Sequence, residues 1–270
     1  LHTAYRRQRQ MCIRDRNQAG YLWMDDSLGL ILNKLDELKL AHNTIVLFVA
    51  DHGSGHKGSL YKAKGTEVPC IMRWPAGMKA GVRSEELIQN TDFVPTWFEL
   101  AGVKKPAAYR MDGVSLAPLF QAPHKPVREY VYGEIGAARS IKTKTHSYIA
   151  LRYTREQVAG VQERQRRELK SLTGLSGGVS RSIATHPHAY TGDQLYDLNR
   201  DPDAQKNLAD QKRHAGTLTQ MKQKLAAELK RFPARPYGEF VPGGNALAGG
   251  GYDKVFETLR QAAADKKPKK

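Results

Sequence analysis

The sequence predicts an α/β sheet domain followed by a smaller α+β subdomain. Three observations carry that expectation. A helix-length amphipathic segment at 17–40 leads through His42-Asn43-Thr44 into the apolar run Ile45 to Ala50. A second apolar run, Val68 to Met72, follows a charged loop. Beyond residue 126 come short runs rich in β-branched and aromatic residues, closed by one more helical pattern. Helix followed by short buried strand is the signature of a mixed sheet, and short strands joined by reversing turns favour an antiparallel one.

Leu28, Ile31, Leu32, Leu35 and Leu38 recur at helical spacing, so 17–40 is expected to be a helix. Asp25-Asp26 is expected to open it, where acidic groups oppose the positive end of the macrodipole. Ile45 to Ala50 reads as a short buried strand and stops at Asp51-His52-Gly53. Residues 67–74 read as the next strand, broken by Pro75-Ala76-Gly77. A helix is expected over 91–101, with Thr91 or Asp92 at its N-cap and Gly102 as its stop. Residues 103–126 hold Pro106, Pro118, Pro123 and Pro126 and read as a passage to the second unit.

That unit is expected to hold strands at Val127–Tyr132, Ser140–Thr143, Ser147–Tyr153 and Gln194–Leu198. A closing helix is expected over 213–232, with Leu218, Met221, Leu225 and Leu229 on one face. Residues 154–190 interrupt it with a basic, helix-patterned insertion, a glycine-rich loop and His186-Pro187-His188, read as a surface loop. The expected division is a leader at 1–16, the α/β part at 17–126, the antiparallel subdomain at 127–236 and an irregular tail at 237–270.

The chain has 270 residues, 43 basic and 27 acidic, for a formal charge of +16. A basic excess suits nucleic acid or an anionic polymer. Much of it lies at the ends: five arginines against one aspartate in 1–16, and four lysines within the last five residues. No motif of interleaved aromatic and basic residues points to nucleic acid. No apolar run is long enough to span a bilayer. Cys12 and Cys70 make no disulfide framework.

The chemistry concentrates between Thr44 and Pro75. Asp51 is a hard oxygen donor and His52 a nitrogen donor, placed where a strand ends. Ligands of open α/β sheets bind outside the carboxyl ends of the strands. Gly53 allows an immediate turn. Lys57, in the same loop, can meet an anion resting on a cation held by that pair.

Four segments together resemble the type I sulfatases of the alkaline phosphatase superfamily. They are YLWMDDSLGLILNKLDELKLAHNTIVLFVADHG at 21–53, KGSLYKAKGTEVPCIMRWP at 57–75, IQNTDFVPTWFELAG at 88–102 followed by Asp112 to Leu116, and QLYDLNRDPDAQKNLA at 194–209. The resemblance implies an incomplete alkaline-phosphatase-like sheet domain and a four-stranded antiparallel subdomain packed by a helix. It implies that Asp51 and His52 are the two late metal ligands, with calcium as the ion. Lys57, four residues before Tyr61, matches the lysine that touches the substrate sulfate, and His56 beside it is a weaker match facing the substrate or solvent.

The family's formylglycine nucleophile, formed in a Cys/Ser-x-Pro/Ala-x-Arg motif, has no match here. Cys12-Ile13-Arg14-Asp15-Arg16 lacks the small or proline third residue. Asp25-Asp26 imitates the family's early metal pair but falls in the helical pattern. Residues 1–16 are basic and aperiodic, and read as a non-native leader joined to a C-terminal fragment. The implied activity is metal-dependent hydrolysis of sulfate esters on a sulfated small molecule or polysaccharide, with this chain alone inactive. The implied location is periplasmic or extracellular. A phosphonate or phosphodiester hydrolase of the same superfamily is the first alternative. A non-catalytic binder of anionic glycans is the second.

Overall fold

A computed structural model of the chain describes residues 16–52, 60, 66–135, 138–152, 186, 188 and 191–232. The chain divides into two compact units. One comprises Leu1–Phe48 and Cys70–Arg83, the other Val49–Pro69 and Ser84–Lys270.

In the first unit, α1 spans Arg16–Glu37. Asp25-Asp26 therefore lies well inside it and does not open it. The helix already has hydrogen-bonded turns upstream, and the acidic pair rides on them. Tyr21, Trp23, Leu30 and Ile31 are all exposed, alongside polar side chains such as Lys34 and Glu37.

The end of α1 is a Schellman motif. Leu40 N–H bonds Leu35 O and Lys39 N–H bonds Asp36 O, with Lys39 at φ 57°. A left-handed lysine at that position is unusual, and it ends the helix earlier than 40. A 3-10 turn at Ala41–Asn43 then leads to β1, Val46–Val49. β1 pairs with β2, Cys70–Arg73. Ala76 N–H bonds His42 O, so the far end of β2 lies beside the start of β1 and the two run antiparallel.

In the second unit, a 3-10 turn at Asn90–Asp92 feeds α2, Phe93–Leu100. Gln89 and Asp92 form a reciprocal capping box. Asp92 is fully buried, and its carboxylate also accepts Val114 N–H and the Arg128 guanidinium. Burial pushes the Asp92 carboxyl up, against the pull of those donors. Thr96 is buried too, and its Oγ1 accepts Leu116 N–H at 2.8 Å. Gly113 packs onto the Thr91 carbonyl so closely that a Cβ there would overlap it. These contacts fasten residues 112–116 to the start of α2. Gly102, at φ 65°, stops α2 by the same two-bond motif that ends α1. A short helix, α3, spans Ala117–Gln121.

Four strands follow: β3 Val131–Ile135, β4 Ala138–Lys142, β5 His146–Leu151 and β6 Asp193–Asp197. They pair in the order β3-β4-β5-β6, each antiparallel to the next. α4, Ala215–Leu229, packs on one face. The strand period of two puts Ile141, Tyr148, Ala150 and Leu195 on that face. There they meet Met221 and Leu225, with Leu218 and Leu229 flanking. β3 starts at Val131, four residues later than the expected strand at Val127–Tyr132, because residues 127–130 are taken by the Arg128 and Tyr130 contacts to Asp92 and Glu228.

Polar side chains complete this unit where the backbone cannot. Asp193 accepts Tyr148 Oη–H at 2.7 Å, Arg152 Nη2 at 2.7 Å and Lys222 Nζ at 2.6 Å, joining β5, β6 and α4. On β6, Asn207 Oδ1 accepts Leu195 N–H and its Nδ2 donates to Asp193 O. The Asp-Pro signature makes a turn in which Asp201 accepts Gln205 and Lys206 N–H. His186, expected on a surface loop, is fully buried. Packing in this unit, not polarity, decides its place. The rest of the basic insertion, apart from His188, lies outside the described residues. Among the described residues no helix is long and apolar enough to cross a membrane.

Candidate metal-binding site

β1 delivers the chain to the site. Its four residues are apolar and it ends at Val49; Ala50 N–H bonds Pro69 O at 3.2 Å. The next two residues are Asp51 and His52. Asp51 Oδ1 accepts His52 N–H at 3.0 Å, a contact that folds the carboxylate back over its own loop. Asp51 Oδ2 lies 3.4 Å from His52 Nε2. The sequence-predicted pair is thus brought together by local geometry alone.

Exposure decides what the pair can do. The Asp51 side chain is 84% exposed and that of His52 33%. Among the described residues, the recorded partners of the Asp51 carboxylate are both on His52. A carboxylate in water with no arginine or lysine pairing it retains lone pairs for a cation. Calcium takes roughly six to eight oxygen ligands. No group of three or more His, Cys, Asp or Glu side chains gathers among the described residues. The Asp51 oxygens and the His52 imidazole are donors a hard divalent cation accepts, and two such residues supply fewer ligands than calcium takes. Lys57 and His56 lie outside the described residues, as does Gly53.

The structure also reveals a polar centre that the sequence reading named only as a cap. Asp92 with Arg128, and Tyr130 with Glu228 and Arg231, form two polar groups that interact electrostatically through Arg128 and Glu228. Arg128 meets Asp92, Tyr130 Oη–H donates to Glu228 at 3.0 Å, and Arg231 Nη1 lies 3.1 Å from both Glu228 oxygens. Burial lowers the Arg128 guanidinium, against the stabilising Asp92 charge. Burial and Glu228 push the Tyr130 phenol up to about 12. No sequence spacing links these residues, since they meet only through the tertiary fold.

The sulfatase family model matches residues 3–103, the segment that carries α1, β1, Asp51, His52 and β2. An ulvan-active sulfatase of Formosa agariphila is 35% identical over 189 residues, covering 65% of this chain and 35% of that relative. The chain therefore spans about a third of that relative's length. Among solved structures, a protein in complex with its substrate D-glucosamine-2-N,6-O-disulfate aligns with a TM-score of 0.59 and 21% identity. The alignment covers 80% of this chain and 40% of that one. The phosphonate monoester hydrolase of Agrobacterium radiobacter aligns with a TM-score of 0.55 and 19% identity, over 77% of this chain and 39% of that one. At that identity the two structures speak to the fold, and they share it. Residues 3–103 thus carry the match to the sulfatase family, and the chain is similar in sequence to sulfatases and in fold to the two solved structures.

Proposed function

We propose that this chain supplies the late metal-binding pair of a calcium-dependent sulfuric ester hydrolase acting on a sulfated glycan. One observation carries the reading: Asp51 and His52 stand side by side at the exit of β1, with the carboxylate open to solvent, inside the segment that matches the sulfatase family. The names of the relatives support the substrate class, since one acts on ulvan and one holds a disulfated glucosamine.

Each residue has a role under this reading. Asp51 brings negative charge that holds the cation, and His52 adds a neighbouring donor. The bound cation supplies electrostatic stabilisation to sulfate oxygens and to a nearby nucleophile. Lys57 places an ammonium against the charge of the sulfate and of the departing oxygen, a preorganised electrostatic role. His56 faces the same substrate. The formylglycine nucleophile and the remaining ligands come from residues outside this chain. The complete protein works in the periplasm or outside the cell.

The test is hydrolysis of methylumbelliferyl sulfate and of a phenyl phosphonate ester. It is run with this polypeptide alone and with a nucleophile-bearing segment of the ulvan-active relative added. The reading expects no turnover by the chain alone. It expects calcium-dependent sulfate hydrolysis in the mixture, abolished by Asp51→Ala. Preference for the phosphonate ester would move the chain to the alternative hydrolase class. Turnover by the chain alone would overturn the assignment of roles.

A further inference from the structure

The second unit contains a groove of about 610 Å³ whose lining includes neither Asp51 nor His52. That volume is within the range of small-molecule sites. One wall is α2, through Phe98 and Glu99; the other is the segment with Lys105, Arg110 and Asp112; Arg231 closes one end.

The second wall is held from beneath. Gly113 sits against the Thr91 carbonyl, Val114 N–H bonds Asp92, and Leu116 N–H bonds Thr96 Oγ1. From the other side Arg231 Nη2 donates to Asp112 O at 3.2 Å, while Glu228 fixes its guanidinium. Lys105 Nζ is tied to Tyr109 O at 2.6 Å. A wall pinned by buried polar bonds presents its side chains without paying much ordering entropy when a ligand arrives.

Arg110 is exposed and has no hydrogen-bond or ion-pair partner among the described residues. Its forked donors match the oxygens of a sulfate group two at a time. Next to it Tyr109, 50% exposed, stacks on Phe98 with centroids 6.4 Å apart and planes 9° from parallel. Phe98 lines the groove and offers apolar surface to the C–H face of a sugar, and the Glu99 carboxylate accepts a hydroxyl. Lys105 and Arg231 line it too, each donating to a backbone carbonyl, and add positive charge around a bound sulfate.

Resting on the sulfated-glycan reading above, we propose that this groove is a second glycan-binding site. It takes a sulfated pyranose unit, with Arg110 on the sulfate and Phe98, backed by Tyr109, against the ring. It would anchor the polymer on the same protein that presents Asp51 and His52.

The experiment measures binding of a heparin tetrasaccharide, its fully desulfated counterpart and inorganic sulfate to the full chain by calorimetry. Wild type is compared with Arg110→Ala and with Lys206→Ala, which removes an exposed lysine outside the groove. The proposal expects the sulfated tetrasaccharide to bind best. Arg110→Ala should weaken it by about tenfold, the value of one charge-assisted contact, and Lys206→Ala should leave it unchanged. Arg110 is exposed, so its removal does not threaten folding. Equal binding by Arg110→Ala, equal binding of the desulfated sugar, an equal affinity for inorganic sulfate, or an equal loss with Lys206→Ala would each overturn the proposal. If the hydrolase reading fails but the groove is real, the Arg110 dependence persists while sulfate-ester turnover is absent from the complemented protein.

Discussion

Replacing Asp193 by alanine should destabilise the second unit by roughly 3 kcal/mol, because one carboxylate there serves three donors. The Tyr148 hydroxyl, 2.7 Å away, belongs to a fully buried side chain. Left without an acceptor it forfeits about 1–3 kcal/mol. Arg152 and Lys222 also lose their carboxylate, but the pairs are partly solvated, with Asp193 29% and Lys222 30% exposed. Their share is discounted accordingly to about 1 kcal/mol. Urea unfolding followed by circular dichroism measures the total. A companion Tyr148→Phe variant separates the hydroxyl from the charges, and the double variant should fall short of additivity, since the two share a contact. A loss below about 1 kcal/mol in Asp193→Ala would refute the reasoning, because the three bonds would then be idle.

The same carboxylate sets a pH dependence. Burial pushes Asp193 up, but the Arg152 guanidinium, the Lys222 ammonium and the Tyr148 hydroxyl outweigh it and hold the group below its ordinary value of 3.8. A carboxyl lowered on folding contributes stability above its unfolded pKa and loses it as pH falls through the folded one. The gap between wild type and Asp193→Ala should therefore be full near neutrality and narrow as the pH drops below about 4.

Other expectations follow from single contacts. Leu225→Ala removes a fully buried side chain from the α4–sheet interface. It should cost about 2–5 kcal/mol in the same denaturation assay. Gly113→Ala forces a Cβ into the Thr91 backbone carbonyl, which no rotamer change relieves. It should destabilise by about 1–3 kcal/mol, whereas Gly20→Ala, with open space around it, should be neutral or stabilising in α1. Tyr130 should ionise near 12 in a phenolate absorbance titration, and Glu228→Gln should bring it down, because burial and the Glu228 carboxylate both oppose the phenolate.

What could be read from sequence, and what could not, follows from where each determinant lies. Leu218, Met221, Leu225 and Leu229 appear on one face of the final helix because the period is local, and the structure packs them on the sheet. Gly102 announces the end of α2 because glycine adopts positive φ without strain. The identical stop at Lys39 carries no glycine, so the first helix reads too long. The start of β3 is displaced for a tertiary reason. Gly133-Glu134 weakens the strand pattern, and a Cβ at Gly133 would come 2.9 Å from a Leu60 methyl and the Ser140 hydroxyl, so those side chains would have to shift. The burial of His186 and the pairing of Asp92 with Arg128, 36 residues away, gave no local sign. The adjacency of Asp51 and His52 at the exit of β1 was legible because an apolar run ended in two donor groups.

The most direct measurement is a calcium titration of the chain followed by backbone nuclear magnetic resonance. The account predicts saturable shifts centred on Asp51 and His52, reversed by chelator and absent in Asp51→Asn. Shifts that centre elsewhere, or that survive unchanged in Asp51→Asn, would contradict it.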